Sequence, residues 1–372
     1  MELKEVITKL EKSKIKAGDG KKVGKYPLYT CSPTVDKFYD EYLYDTEAII
    51  LSTGGNPVVN YYNGKFSYST DCLVIQSNET LECKYMYYYL LSKIDIIGKM
   101  FRGVGIKHLN KNEFLKLDIS IVDKESQNKI IANLDIVNTI IELKKEQLKE
   151  YDNIVKSQFV EMFGDPISNP MKWKVKKLGE LSNKVMSGNT PKGGDRVYVS
   201  SGIEFYRSQN VWKNKIEKDD IAYIDEETHK RMLKSSLKHN DLLITKTGRI
   251  NTENSSLGRT ALYVGEDDKA NINGHVYLVR LNKGENHEFI LRILISDEYR
   301  EYIRSVCVGG IDKRQLNKEH IENFPIIYPP IELQNQFADI VKQIDKQKFE
   351  SVIQSKKEME KIQKNIYYKW GK

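Results

Sequence analysis

One feature constrains this chain more than any other: it repeats itself at a fixed offset. Residues Gly103 to Asp165 lie over Gly310 to Lys372 without a gap, 207 positions apart. Leu109-Asn110-Lys111 matches Leu316-Asn317-Lys318, Gln127-Asn128 matches Gln334-Asn335, and Phe163-Gly164 matches Trp370-Gly371. Ile119 falls on Ile326 and Val137 on Ile344. Self-similarity held over 63 residues at one spacing marks a duplicated structural unit. Upstream the repeat is looser. Leu3-Lys4-Glu5 resembles Leu178-Gly179-Glu180 at an offset of 175, and Thr53-Gly54 falls on Thr247-Gly248 at an offset of 194. Each copy therefore reads as one globular domain followed by one helix.

The helical part is the more regular. An acidic first turn at Asp123-Lys124-Glu125 suits a helix dipole. From there Ile130, Leu134, Val137, Ile141, Lys144, Leu148, Tyr151, Val155, Gln158 and Met162 step by four and three, a coiled-coil seam with polar breaks at Lys144 and Gln158. Gly164-Asp165-Pro166 stops it. The second helix follows Pro329-Pro330 and carries Phe337, Val341, Ile344, Val352, Met359, Ile362 and Ile366, with polar Lys348 and Ser355 on the way. Residues 123–165 hold six basic and nine acidic side chains, whereas 331–372 hold nine basic and six acidic. Opposite net charges of −3 and +3 favour pairing the two helices with each other, antiparallel if the copies are related by a pseudo-two-fold. The residues expected to pair them are Ile130, Leu134, Val137, Ile141, Leu148 and Val155 with Phe337, Val341, Ile344 and Ile362.

The globular parts read as mixed α and β. Strands are expected at Ala48–Leu51, Cys72–Ile75, Asp241–Ile244 and Val276–Val279, and amphipathic helices over Glu82–Ile97 and Glu288–Val306. The expected class is thus α+β, two mixed domains joined by two long antiparallel helices. The boundaries are a first domain at 1–122, a central helix at 123–165, a second domain at 166–328 and a C-terminal helix at 329–372.

Composition narrows the function. The 372 residues carry 59 Lys and Arg against 52 Asp and Glu, a net charge of +7 that suits a nucleic-acid partner. The globular parts carry +2 (17 basic, 15 acidic) and +5 (27 basic, 22 acidic). The basic and amide side chains of the loops are the candidate DNA contacts. In the second domain they are Asn189, Thr190, Lys192, Arg207, Gln209, Lys246, Arg249 and Arg259. In the first they are Asn56, Lys65, Arg102 and Lys107, with Lys21, Lys22 and His108 beside them. Such groups bind guanine or adenine edges bidentately, and Lys meets phosphate. Most of the 23 tyrosines are expected in cores.

Catalytic patterns are missing. The chain has no GxxxxGK[ST] phosphate loop, no HExxH and no GxSxG. The six histidines show no metal-ligand spacing, so no metal and no catalytic residue is expected. A base-amino methyltransferase needs an Asp/Asn-Pro-Pro-aromatic loop, whereas here Pro329-Pro330 follows Tyr328 and precedes Ile331. Cys31, Cys72, Cys83 and Cys307 read as reduced thiols. No apolar leader or membrane span is evident, so a cytoplasmic protein without a membrane partner is expected.

Two local patterns then bring a family into view. Trp173-Lys174-Val175-Lys176-Lys177-Leu178-Gly179-Glu180, followed by Ser187-Gly188-Asn189-Thr190-Pro191, opens the second domain. Gly309-Gly310, Leu316, Pro325, Pro329-Pro330, Glu332 and Gln334-Asn335-Gln336 lead into its helix. With the domain–helix–domain–helix duplication, these resemble the specificity (S) subunits of type I restriction–modification systems. The first half departs from the pattern: it lacks the GxTP element and has Val122-Asp123 where the second has Pro329-Pro330. The resemblance implies a non-catalytic subunit with two target recognition domains, each reading half of a split double-stranded DNA site. It implies helices that set the spacer and dock two methyltransferase subunits, which carry S-adenosylmethionine and methylate adenine N6. A restriction–translocase subunit, with ATP and Mg²⁺, is a further partner of such complexes. No cofactor is expected in this chain.

Overall fold

The computed structural model describes residues 1–252 and 254–370, with side chains described as far as Lys357. The chain forms two compact units: Met1–Glu146 with Val352–Lys372, and Gln147–Ser351. Among the described residues no helix is long and apolar enough to cross a membrane.

The duplication is close in its downstream elements, although the second hairpin pairs Val308 with Gln315, one residue earlier in the repeat than Phe101 with Leu109. Hairpin strands at Phe101–Arg102 and Val308–Gly309, short helices at Lys111–Leu115 and Lys318–Glu322, and 40-residue helices at Lys124–Phe163 and Ile331–Trp370 all lie 207 positions apart. Asn110 and Asn317 cap the two short helices in the same way, each side chain accepting the N–H three residues on. At the amino end, Leu3 N–H donates to Leu117 O at 2.8 Å and Leu178 N–H donates to Phe324 O at 2.9 Å. That upholds the offsets of 175 and 207 together.

In the first unit a six-stranded sheet contains Ile7–Lys9, Cys72–Ser77, Tyr44–Ser52 and Val59–Tyr68 as neighbours in that order. In the second, Ser182–Ser187, Val276–Leu281, Leu242–Thr245 and Thr260–Leu262 repeat the order. The second unit inserts a further three-stranded sheet, in which Ile203–Tyr206 lies between Ala222–Ile224 and Ala270–Ile272. The expected strands all form. The two expected helices each break in two. Cys83–Ser92 and Ile94–Lys99 part at Lys93, and His287–Ile295 and Asp297–Val306 part at Ser296. Ser296 is extended, and its hydroxyl caps the next helix by accepting from Tyr299 N–H. A side chain that competes for the backbone ends one helix and starts another.

The long helices begin and end as their residues dictate. Asp123 accepts from Ser126 N–H at 2.8 Å, an N-cap that also favours the dipole. Gly164 stands at φ 76°, where a Cβ would lie 2.7 Å from Pro170 Cγ, so only glycine fits this terminus. Ile130 and Leu134 pack into the first domain's core with Leu3, Phe114 and Ile119. Along the middle, Val137, Ile141, Lys144, Leu148, Tyr151 and Val155 are covered while most of their neighbours are exposed, the 4-3 seam read from the sequence. Beyond Val155 the seam changes to Phe159 and Phe163, and these two rings join Phe289 and Phe337 in the second domain's core. Gln158 and Met162 stay partly covered, as Ile141, Lys144, Leu148 and Tyr151 are, while the fully buried positions are Phe159 and Phe163. Once the helix packs on a globular core it keeps to spacing near 3.6 instead of 3.5, which moves the stripe by one residue.

Within the second unit the helices run antiparallel. Phe159 meets Phe337 at 5.4 Å, Asp152 ion-pairs with Lys348, and Ser351 Oγ donates to Gln147 Oε1 at 2.8 Å. Val341 and Ile344 are buried in the same core as Val155. The covered stripe of the second helix is Phe337, Val341, Ile344, Lys348, Ser351 and Ser355, while Val352 points outward. The apolar residue expected on the stripe there is thus displaced by the polar one beside it. Ile362, Met359 and Ile366 fall outside the described side chains.

Candidate nucleic-acid interface

Two exposed β-hairpins, one per domain, stand at equivalent places. The first pairs Phe101 with Leu109 and Arg102 with His108 around the tip 103–107. The second pairs Val308 with Gln315 and Gly309 with Arg314 around the tip 310–313. Each lies against the chain leaving a central strand. Leu109 N–H donates to Thr53 O at 3.0 Å, and Leu316 N–H donates to Lys246 O at 2.9 Å. Gly54 bridges His108 as Thr247 pairs Gln315. Backbone pairing therefore equates Thr53 with Lys246, an offset of 193 in place of the 194 read from the Thr-Gly identity. The buried hydroxyls preceding them, Ser52 and Thr245, agree with this register.

Four of the expected contact residues gather at these hairpins. Arg102 and Lys107 stand exposed on the first. Arg249 stands on the strand Thr247–Arg249 beside the second, and Lys246 enters that strand. The sequence reading missed Lys313 and Arg314, which complete the basic group. The offset of 207 carries Lys107 onto Arg314, so the signal was present in the repeat. The cations are held lightly. Arg102 pairs Glu113 at 2.8 Å, Arg249 pairs Asp312 at 3.3 Å, and Arg314 Nε–H donates to Gly310 O at 3.4 Å. Exposed pairs of this kind are worth ~0–1 kcal/mol, so a phosphate can replace either carboxylate.

The other expected residues lie elsewhere. Asn189, Thr190 and Lys192 are exposed on the loop after Ser182–Ser187. That loop is anchored at Gly188, where a Cβ would lie 2.1 Å from Ile272 O. Gln209 and Arg207 both reach the exposed Asp220, at 2.9 Å and 3.1 Å, and hold its carboxyl below its usual range. Arg259 stacks on Trp212 at 3.8 Å, and its Nε–H donates to Ser255 O at 3.0 Å. Burial lowers its pKa from the usual arginine value. Arg207, Gln209 and Arg259 thus already support the loops from which they project. Asn56 is exposed in the turn after Ser52, whose hydroxyl donates to Asn56 O. Lys65 stands apart over Tyr42 at 4.8 Å.

Among the described residues no group of three or more His, Cys, Asp or Glu is placed to hold a metal. What the two hairpins and their neighbouring loops offer is exposed cationic and amide side chains.

The model of the type I restriction modification DNA specificity domain matches residues 1–151 and 170–361. The chain belongs to that family, and it carries the domain twice. It is 27% identical over 156 residues to the type I restriction enzyme EcoDI specificity subunit of Escherichia coli, a match covering 42% of this chain but only 34% of that one. It is 21% identical over 342 residues to the MjaVIII specificity subunit of Methanocaldococcus jannaschii, covering 88% and 78%. Its fold is similar to the crystal structure of the type I restriction–modification S subunit from M. genitalium, with a TM-score of 0.55 at 17% identity over 98% of this chain and 93% of that one.

Proposed function

We propose that this chain is the sequence-reading subunit of a type I restriction–modification complex, with no catalysis of its own. Each domain reads one half of a bipartite double-stranded DNA site. The long helices set the spacer and dock two methyltransferase subunits, which bring S-adenosylmethionine. The setting is the cytoplasm, and where the system restricts as well as methylates, a restriction subunit using ATP and Mg²⁺ joins the same complex. The observation that carries this reading is the same basic hairpin on the same strand edge in both members of a duplicated domain. Two copies of one module on one chain suit two half-sites. Arg and Lys beside exposed backbone suit phosphate and base edges.

The test is domain exchange. Replacing residues 171–328 by the equivalent segment of another family member, and selecting from a randomised duplex library, should change one half-site and preserve the other. Binding should fall steeply with salt, as phosphate contacts require. Both half-sites changing together defeats the modular reading, and methyl transfer by the purified chain alone defeats the non-catalytic one.

A further inference from the structure

The tips of the two hairpins carry a side chain that neither fold nor charge explains. Val104 is fully exposed and Ile311 is 90% exposed. They occupy the same position in the repeat, 207 residues apart. Their neighbours have diverged: Gly105 answers to Asp312, and Ile106, itself 71% exposed, answers to Lys313, so the aliphatic that both tips share is the one at 104 and 311. A β-branched aliphatic at one loop tip is ordinary surface. The same kind of side chain at the same tip in both copies, amid changed neighbours, asks for a common apolar partner.

The tips are also narrow. Gly103 and Gly105 flank Val104 with φ of 139° and 85°, and Gly309-Gly310 precede Ile311 with Gly309 at φ 138°. Positive φ at these places lets the chain turn tightly with no Cβ at its sides. Cations stand at the base of each finger: Arg102 and Lys107 on the first, and Arg249, Lys313 and Arg314 on the second. The one carboxylate at the second tip, Asp312, is engaged by Arg249 at 3.3 Å. A thin apolar point with cations behind it matches the minor groove, about 6 Å wide between two phosphate rows. Aliphatic side chains inserted there part neighbouring base pairs and bend the duplex.

We propose that Val104 and Ile311 are DNA wedges, each inserted from the minor groove into one base step of its own half-site. The flanking Arg and Lys grip the phosphates on either side. The step is chosen by how readily it unstacks, so sequence is read there without a hydrogen bond to a base. This rests on the DNA-reading function proposed above.

The experiment uses the full-length chain without a methyltransferase, so that no other protein displaces a base. A duplex selected from a randomised library is made with 2-aminopurine at each position in turn, and its fluorescence is followed on binding. The chain should raise the signal several-fold at one step in each half-site. Ile311→Ser should abolish one rise and Val104→Ser the other, each weakening binding about tenfold. Ile311→Leu should keep both. Both positions are exposed, so the variants should melt as the parent does. A chain that selects no duplex overturns the DNA-reading function and the wedges with it. A chain that selects a duplex but unstacks no step, or whose serine variants bind and unstack as the parent does, overturns the wedges alone.

Discussion

At the residue scale, two buried polar arrangements determine what substitution costs. Asp241 is almost wholly enclosed and is held by a two-pronged Arg280, at 2.8 and 2.7 Å. The carboxylate holds the guanidinium's pKa above its usual value. Arg280→Leu leaves a buried carboxylate without its partner. We expect a loss of about 3–5 kcal/mol, read by urea unfolding. A loss under about 1 kcal/mol would show that water reaches Asp241 and that the pair is ornamental. In the first domain the Cys72 thiol holds the Cys31 pKa at about 6, helped by the Gly54 and Thr53 amides, while Cys72 itself is pushed up. Cys31 is also the only partly exposed cysteine of the four. It should therefore be the first alkylated by iodoacetamide at pH 7, as peptide mass spectrometry would report. Faster labelling of Cys83, whose burial raises its pKa to about 11, would contradict that order. Neither pairing was legible in the sequence. Arg280 and Asp241 lie 39 residues apart, and Cys31 and Cys72 lie 41 apart. Each pair meets only because strand order places it so.

At the scale of elements, the sequence was legible where periodicity is local and opaque where packing decides. The 4-3 stripe from Val137 to Val155 depends on spacing alone, and it is covered as read. The change to Phe159 and Phe163 depends on a domain core that periodicity does not describe. Ser351 replaces Val352 on the stripe because Gln147 faces it. The junction glutamines were seen only as an identity, yet both are fully buried. Gln127 donates to Val122 O at 2.8 Å and Gln334 to Pro329 O at 2.9 Å, which fixes the chain entering each long helix. The contact residues were harder to place. Arg207 and Gln209 have the right chemistry but spend it on Asp220, and no local pattern announces that. The paired caps give a prediction at this scale. Asn110→Ala and Asn317→Ala should each cost ~1 kcal/mol by loss of the side-chain acceptor. Both changes remove the same side-chain acceptor, so both costs should fall in that range in denaturant titrations, although Asn317 alone also donates its own N–H to His320 Nδ1.

At the scale of the whole molecule, the proposed spacer function can be tested by length alone. Each long helix has 40 residues, about 60 Å at 1.5 Å per residue. One turn of duplex spans ~34 Å, so helices of this length suffice to serve half-sites on separate groove segments. Gln147 and Ser351 face each other, and the division between the two units falls beside them, after Glu146 and after Ser351. Four residues inserted at both points would lengthen the helices together and leave Asp152 opposite Lys348. The insertion adds ~6 Å and turns the stripe by only ~40°, a stutter that a helix pair absorbs by local unwinding. No residue of either hairpin is touched, so the half-sites should remain as they were. The preferred spacer should lengthen by about two base pairs at ~3.4 Å each. Leu148→Pro serves as the contrasting variant. It breaks the helix at a cost of ~3 kcal/mol or more and should lower assembly with the methyltransferase without favouring any longer spacer. Selection from duplexes with a randomised spacer distinguishes these outcomes. A folded insertion variant that keeps the parental spacer would show that the helices join the two domains without setting the distance between half-sites.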